Sequence, residues 1–141
     1  ALGVAQLARL DEFIAVRQRN FAHLKARLKT CEEFLILPEA TPGSDPSWFG
    51  FLLTLCENVP CDRVDLLRYL DQHRIGTRLL FAGNVTRQPY MQGRRFRISG
   101  DLATANAITE RSFWIGVHPG LSTEMLDYAA DKIGEFLGVG F

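Results

Sequence analysis

The side chains best suited to chemistry are arginines gathered in one loop-rich segment. Between Asp71 and Asp101 the sequence contains no aspartate or glutamate. The same interval contains six arginines, which are Arg74, Arg78, Arg87, Arg94, Arg95 and Arg97. The chain of 141 residues has no net charge, so its remainder must be net negative. Because a guanidinium presents planar donors that match two phosphate oxygens, the segment is predicted to bind an anion. A solvated basic loop is the alternative.

Residues 78–90 add groups that suit a hydroxylated ligand. The candidate substrate-binding residues are Arg78, Phe81, Asn84, Thr86, Arg87 and Gln88. The two amides can donate to and accept from sugar hydroxyls, and the threonine adds a hydroxyl of its own. The phenylalanine ring can stack on a ring of the ligand. No nucleophile with its own base occurs nearby, so we expect ligand binding here and no catalytic residue.

The histidines and cysteines do not match a metal or redox motif. The histidines, His23, His73 and His118, fall on three different predicted elements and lack the spacing of metal ligands. The cysteines, Cys31, Cys56 and Cys61, are odd in number and have no CxxC spacing. We therefore expect no metal in this chain, and free thiols that act as small apolar fillers in a reducing compartment.

Composition excludes several broad classes. A hydrophobic content of 47% and a charged content of 23% are ordinary for one globular domain. No apolar run approaches the roughly 20 residues that span a bilayer, and the start has no basic leader, so we expect a cytoplasmic protein without a membrane contact. A nucleic-acid partner is not expected, because the chain is neutral and the segment has few interleaved aromatic residues.

The elements that must position the arginine segment follow from periodicity and turn signals. Residues 2–28 predict one long amphipathic helix. Strands are predicted at 33–37, 47–55, 75–81 and 112–117, and further helices at 62–73, 102–111 and 122–137. This order predicts an α+β fold, with a small mixed or antiparallel sheet of three or four strands and helices on one face. The first helix has no capping residue, so we expect the chain to be part of a larger protein.

Individual side chains are assigned to faces on the same basis. Phe49, Phe51, Leu53 and Leu55 are predicted to share one face of their strand, and Trp48, Leu52 and Cys56 the other, so that both faces are largely covered. Core packing is the predicted role of both tryptophans, Trp48 and Trp114, with a stacking platform at the edge of a site as the alternative. The helix at 62–73 is predicted to bury Val64, Leu67 and Leu70, and Gly76 is predicted to lie just past its end. Asp101 and Ser122 are predicted N-caps, Ala105 and Ile108 are predicted inward, and Gly138 is predicted to end the last helix.

Several stretches resemble a known enzyme family. Residues 3–14 followed by Arg17 resemble the start of the long helix in the nucleotide-sugar aminotransferase superfamily (DegT/DnrJ/EryC1/StrS), which are vitamin-B6-dependent enzymes of fold type I. Residues 46–51, 76–90 and 113–121 resemble the C-terminal part of the CDP-4-keto-6-deoxyglucose 3-dehydrase group, the lipopolysaccharide biosynthesis proteins. The resemblance covers essentially all 141 residues, and its most specific part is the string from Phe81 to Pro89.

The resemblance implies a function for the larger protein. Such an enzyme uses pyridoxamine phosphate (PMP) or pyridoxal phosphate (PLP), an iron–sulfur cluster and a flavin-containing reductase to remove the C3 hydroxyl of a CDP-4-keto-6-deoxy sugar. The product leads to the 3,6-dideoxyhexoses of the lipopolysaccharide O-antigen. This chain would be the small C-terminal domain that closes over the substrate. Cofactor and cluster would be bound by an N-terminal domain in a homodimer, and the chain alone would be inactive.

Two alternatives stay open at this point. The first is the C-terminal domain of a PLP-dependent nucleotide-sugar aminotransferase, which would carry a Schiff-base lysine elsewhere where the dehydrase carries a histidine. The second is a non-enzymatic module that binds anions through the arginine segment. Its affinity for nucleic acid or an acidic protein would fall steeply with salt and would need no sugar.

Overall fold

A four-stranded antiparallel sheet organises the chain in the computed structural model, which describes residues 2–57 and 59–140. The strands are β1 (Leu35–Ile36), β2 (Gly50–Leu55), β3 (Thr77–Leu79) and β4 (Ser112–Gly116), in the order β1-β2-β4-β3. The helices are α1 (Leu2–Leu7), α2 (Leu10–Leu28), α3 (Arg63–Gln72), α4 (Ala103–Arg111) and α5 (Thr123–Leu137). The predicted α+β class and the predicted order of elements are confirmed.

Helices α2 and α5 pack against each other beside the sheet and supply much of the core. Their buried apolar side chains are Phe21, Leu24, Leu28, Leu126, Ala129, Ala130 and Ile133. Polar contacts join the same two helices at the edge of this core. His23 Nε2 lies 2.7 Å from Asp127 Oδ1, and Arg27 forms an ion pair with Asp131. The predicted inward face of the last helix is therefore confirmed, except that its final residue, Leu137, is only half-buried.

Directly paired residues of β2 and β4 build the buried face of the sheet. Phe51 lies opposite Ile115, and Leu53 lies opposite Phe113. All four side chains are buried, because successive residues of a strand point to opposite faces and these positions share one face. Phe49 was predicted to share this face, but it precedes β2 and is 71% exposed, so that prediction is wrong. Trp48 is confirmed as a core residue, since its ring stacks on Phe21 at 3.8 Å.

The first helix is shorter than its sequence pattern indicates. The predicted single helix over 2–28 is interrupted at Ala8 and Arg9, which form a turn between α1 and α2. Arg9 has φ −110° and ψ 6°, outside helical geometry. Helix α1 contains no buried residue, so no core packing enforces one continuous axis across the turn.

Capping explains where the later helices begin and end. Asp62 caps α3 and Ser122 caps α5, each accepting from a backbone N–H three residues on. Gly138 ends α5 with φ 72°, as predicted. After α3 the left-handed residue is Arg74, with φ 59°, and not the predicted Gly76.

Two predictions about inward side chains need correction. In α3, Leu66 is fully buried while Val64 is 44% exposed, so the helix is rotated relative to the predicted face. In α4, no residue is buried, and the predicted inward residues Ala105 and Ile108 are half-buried. Asp101 was predicted to be the N-cap of α4, but the N-cap is Leu102, with φ 58° and no side-chain capping bond, and Asp101 accepts from Ala103 N at 2.9 Å from one position earlier. Among the described residues, no helix combines the length and the apolar character needed to cross a bilayer.

Candidate functional site

Arg78 lies on β3, the edge strand on the far side of β4 from β2. It is opposite Trp114, which is in turn opposite Leu52, so these three side chains share the sheet face that points away from the buried core. Arg78 is exposed, and no ion pair with a carboxylate is found for it among the described residues. Its guanidinium donors are therefore available to a ligand.

Trp114, which is opposite Arg78, and two aromatic side chains near it form what we call the aromatic surface, consisting of Phe49, Phe81 and Trp114. The ring centroids of Phe49 and Trp114 are 4.5 Å apart, and those of Phe81 and Trp114 are 6.2 Å apart with the rings nearly perpendicular. Phe81 is 77% exposed. Trp114 was predicted to be a core residue, but it lies half-buried on the outer face and donates from Nε1 to Leu79 O at 3.3 Å. Because Trp114 lies opposite Arg78, aromatic rings and a guanidinium occur on one face of the sheet, where they can contact a ring and a phosphate of one ligand.

Gly50 allows this arrangement, because the Trp114 indole lies directly over it. A Cβ added at Gly50 would be 1.9 Å from Trp114 Cε3, a distance that no real Cβ contact reaches. The position directly across the ladder, Gly116, has no comparable restriction, since a Cβ there would meet only Leu121 at 3.8 Å. Only one glycine of the pair is therefore required by the aromatic surface.

Asn84 is placed differently from the sequence expectation, because it is 95% buried and its side chain is used inside the protein. Its Oδ1 accepts from Thr86 N at 3.0 Å and from Thr86 Oγ1 at 2.7 Å. Its Nδ2 donates to Asn106 Oδ1 at 2.7 Å. These bonds cap the short 3₁₀ turn at Val85–Arg87. Both Asn84 and Thr86 therefore shape the loop with the same polar atoms that were predicted to meet sugar hydroxyls.

Arg87 and Gln88 are also partly engaged within the chain. Arg87 has no acidic neighbour in the sequence, yet it forms an ion pair with Glu110 of α4, with both side chains about half exposed. Gln88 Nε2 donates to Ala82 O at 2.9 Å, which leaves its carbonyl oxygen for other partners. Of the six candidate residues, Arg78 and Phe81 thus present the groups least committed to the protein itself.

The sequence did not indicate four residues that hold the loop in place: Arg63, Asn106, Thr109 and Glu110. The last three lie on one side of α4 at the i, i+3 and i+4 spacing and each contacts residues 84–87. Arg63 of α3 donates to Thr109 O at 2.7 Å and to Ser112 O at 3.0 Å. Burial lowers the pKa of Arg63 below its ordinary value, with Asp62 opposing that change. A short helix with polar residues at this spacing is the one signal that could have indicated such a role.

Two clefts flank the candidate residues. One, of about 470 Å³, is bordered by Arg78 and Trp114 together with Asp71. The other, of about 390 Å³, lies beneath the loop and is bordered by Phe81, Gln88, Arg63, Thr109 and Tyr90 among others. The first cleft has one guanidinium and one carboxylate on its wall, whereas the second has a guanidinium and two aromatic rings.

The remaining arginines of the segment differ in their contacts. Arg94 Nε donates to Tyr90 O at 3.0 Å, which folds it back on the chain. Arg74, Arg95 and Arg97 are exposed. No group of three or more histidine, cysteine, aspartate or glutamate side chains is placed to hold a metal ion in the described part of the chain.

Comparison with known proteins finds relatives of this chain among lipopolysaccharide biosynthesis proteins and 3-dehydratases. Residues 1–134 match the DegT/DnrJ/EryC1/StrS aminotransferase family. The chain is 52% identical to the lipopolysaccharide biosynthesis protein RfbH of Salmonella typhimurium, covering all of this chain and 32% of that protein. It is 42% identical to dTDP-4-dehydro-2,6-dideoxy-D-glucose 3-dehydratase of Saccharopolyspora spinosa, covering 97% of this chain and 29% of that protein. The chain thus spans about a third of the length of these curated relatives.

Solved structures share the fold at lower identity. An Escherichia coli GDP-4-keto-6-deoxy-D-mannose-3-dehydratase with bound hydrated PLP superposes with a TM-score of 0.82 at 22% identity, covering 93% of this chain and 33% of that one. An aminotransferase from Psychrobacter cryohalolentis superposes with a TM-score of 0.84 at 18% identity, covering 97% and 37%. The sheet and helices described above are therefore those found in PLP-dependent transferases.

Proposed function

The chain belongs to the DegT/DnrJ/EryC1/StrS aminotransferase family, and from that membership we propose that it is the C-terminal small domain of a nucleotide-sugar 3-dehydratase. The whole enzyme would remove the C3 hydroxyl of CDP-4-keto-6-deoxyglucose on the route to the 3,6-dideoxyhexoses of the O-antigen. The identity with RfbH supports the lipopolysaccharide route, and the identity with a 3-dehydratase supports the reaction type. The cytoplasm is the proposed compartment, with a homodimer as the assembly.

The observation that carries this proposal is the position of Arg78 beside the aromatic surface. Its guanidinium lies on an open sheet face, has no ion pair with a carboxylate of the described chain, and borders a cleft with Trp114. We assign Arg78 to the diphosphate of the nucleotide sugar and Phe81 to a ring of the same ligand. The domain would thus act as a lid that holds substrate while the reaction takes place on another domain.

The other candidate residues take different parts in this proposal. Asn84 and Thr86 keep the loop in shape, because their polar atoms bond to each other and to α4. Arg87 shares its charge with Glu110, so it contributes less to the substrate than Arg78 does. Gln88 can still accept a hydrogen bond from a sugar hydroxyl through its carbonyl oxygen.

The three lysines and Cys31 do not fit the cofactors of such an enzyme. Lys25 pairs with Glu39 and Lys132 pairs with Glu135, and neither these two nor Lys29 borders the clefts formed with Arg78 and Phe81. Cys31 is fully buried, and burial raises the pKa of its thiol, which opposes the thiolate that an iron–sulfur cluster requires. We therefore assign PMP or PLP, the cluster and the contact with a flavin-containing reductase to other parts of the larger protein.

The first test is Arg78→Ala in the full-length protein, with CDP-4-keto-6-deoxyglucose as the ligand. Loss of a charge-assisted contact to phosphate should weaken binding by about 1.5–3 kcal/mol, measured by calorimetry. Arg87→Ala should weaken binding by less, since that side chain already has a carboxylate partner. The matched control is Arg68→Ala, which removes an exposed arginine of α3 that pairs with Asp65.

Unchanged affinity in Arg78→Ala, with a folded protein, would overturn the assignment of this residue. Product analysis then separates the reaction types, because a 3-dehydratase yields a sugar that lacks the C3 hydroxyl, whereas an aminotransferase yields an amino sugar. A third outcome is affinity that needs no sugar and falls steeply with salt, which would indicate a non-enzymatic anion-binding module.

A further inference from the structure

We propose that Thr109 of α4 is a positioning residue that fixes the loop at residues 81–88 in its ligand-binding conformation. The inference rests on the proposed function of that loop and concerns a residue that borders the cleft with Phe81 and Gln88, but whose hydroxyl is bonded within the chain. The contacts that carry it connect α4 to the loop through Asn106, Thr109 and Glu110, which we call the loop anchor. Thr109 is at the centre of this anchor.

Thr109 is hydrogen-bonded on three sides. Its Oγ1 accepts from the backbone N–H of Asn84 at 2.6 Å and donates to Ala105 O at 2.7 Å. Its own carbonyl oxygen accepts from Arg63 Nη1 at 2.7 Å. A hydroxyl that both donates and accepts can link the helix backbone to the loop backbone, which a methyl group in the same position cannot do.

The loop backbone at Gly83 lies so close to Thr109 that the contact between loop and helix requires a glycine at this position. Gly83 has φ 64°, and a Cβ added there would be 2.5 Å from Thr109 Oγ1 and 3.2 Å from Thr109 Cα. The loop backbone therefore touches α4 where only glycine fits. Asn84 and Arg87 then bind the flanking members of the anchor, Asn106 and Glu110.

The anchor helix is itself held by polar contacts. Helix α4 has no buried residue among those described, so apolar packing alone does not fix its position. Arg63 of α3 donates to the carbonyl oxygen of Thr109 in α4 and to that of Ser112, the first residue of β4. Arg111, the last residue of α4, pairs with Glu57 after β2. The loop is thus connected through Thr109 to α3 and to the sheet, and Phe81 lies two residues from the anchored glycine.

Loss of the Thr109 hydroxyl should lower the fraction of protein molecules whose loop is in the ligand-binding conformation. If the hydroxyl is lost, the loop samples other conformations, and the apparent affinity falls in proportion to the competent fraction. Chemistry on the bound substrate is unaffected, because Thr109 does not touch the reacting atoms in this proposal. The signature is therefore a rise in KM with little change in kcat.

The experiment compares Thr109→Val with Thr109→Ser in the full-length enzyme. Valine keeps the shape and removes the hydroxyl, and it should raise KM for CDP-4-keto-6-deoxyglucose about fivefold, the factor that one ordinary hydrogen bond represents. Serine keeps the hydroxyl and should return KM to within about twofold of the native value. Amide hydrogen exchange at Asn84, measured without ligand, should speed up in Thr109→Val and not in Thr109→Ser.

Native exchange and native KM in a folded Thr109→Val would overturn the proposal, as would a serine variant that behaves like valine. If Thr109→Val does not fold, Glu110→Gln tests the same anchor through its half-exposed ion pair with Arg87. That variant should speed up amide exchange near Arg87 in the protein without ligand. KM is not the readout for this variant, because Arg87 released from Glu110 can itself bind a phosphate of the substrate. Native exchange near Arg87 in Glu110→Gln would overturn the proposal.

Comparison with Arg78→Ala separates this proposal from the proposed function. If Arg78→Ala weakens substrate binding and Thr109→Val alters neither exchange nor KM, the anchor fails and the function stands. If Thr109→Val speeds exchange at Asn84 while Arg78→Ala binds substrate normally, the anchor exists but the ligand assignment fails. Measurements on these two variants therefore distinguish failure of the anchor proposal from failure of the proposed function.

Discussion

At the scale of single residues, environment separates arginines that the sequence presents as equivalent. Arg78 and Arg87 both lie in a stretch without acidic residues, and both were predicted to bind substrate. Arg87 meets Glu110, which is 23 positions away in the chain, whereas Arg78 points from an edge strand beside Trp114. A gap in acidic residues along a sequence therefore does not guarantee an unpaired charge in space.

Cys31 gives a residue-scale prediction about alkaline stability. The thiol is fully buried, and this burial raises its pKa above the ordinary value of 9.0, with Thr30 opposing. The unfolded chain therefore ionises first, so this contribution to stability is complete below about pH 9 and is lost as pH rises through the folded pKa. Urea unfolding between pH 8 and 11 should show a decline that Cys31→Ala reduces. Cys56→Ala is the control that keeps Cys31 and should retain the decline.

The sequence located the candidate loop but not the function of each side chain in it. Composition and charge indicate where an anion could bind, because those signals are local. Whether Asn84 faces a ligand or Asn106 depends on α4, which begins nearly 20 residues later in the sequence. Contacts of that kind arise from tertiary structure and leave no mark in local spacing.

At the scale of elements, the two faces of the sheet have different tasks. One face carries the buried side chains of β2 and β4 and packs on α2 and α5. The opposite face carries Arg78, Trp114 and Leu52 and is partly open. Because successive side chains of a strand point to opposite faces of the sheet, one short strand contributes both to the core and to the proposed ligand site.

Gly50→Ala tests whether the aromatic surface depends on close packing against β2. The new Cβ would overlap the Trp114 indole, so the ring must move away from Phe49 and Phe81. We expect a loss of about 1–3 kcal/mol in the free energy of unfolding and a shift in tryptophan fluorescence. Gly116→Ala, directly across the ladder, adds the same atom with ordinary contacts and should change both quantities little. Equal effects in the two variants would contradict the packing argument.

The type and order of the secondary-structure elements were predictable from the sequence, but the rotation of a helix about its axis and a break within a helix were not. Hydrophobic periodicity and capping signals predicted the four strands and the later helices in the right order, since these signals act within a few residues. The rotation of α3, which buries Leu66 in place of Val64, and the break at Arg9 were missed. Both are decided by which neighbouring surface is available, and that is a property of the assembled fold.

At the scale of the whole molecule, apolar side chains are exposed in two places. Leu2, Leu7 and Leu10 of the first two helices are 78%, 64% and 46% exposed, and Phe49 and Phe81 project from the sheet. Several exposed large apolar side chains on one element are typical of faces that contact another protein surface. We expect the rest of a larger protein, or a second copy, to cover them.

The chain expressed alone should therefore bind an apolar dye and associate as its concentration rises, as measured by analytical ultracentrifugation. Leu7→Glu combined with Leu10→Glu should lower the average mass, because it places charges on the exposed apolar stripe. The matched control, Ala22→Glu combined with Ala26→Glu, adds the same charge at exposed positions of α2. A monomer at every concentration that binds no dye would contradict this expectation.

The strand order β1-β2-β4-β3 also has a consequence for protein synthesis. Strand β4 sits between β2 and β3 although the ribosome makes it after both of them. Until residues 103–116 emerge from the exit tunnel, β3 has no partner strand, and the segment that carries Phe81 and Arg87 has no α4 to contact. A nascent chain that stalls before this point would leave its arginine-rich segment unfolded and open to proteases or chaperones.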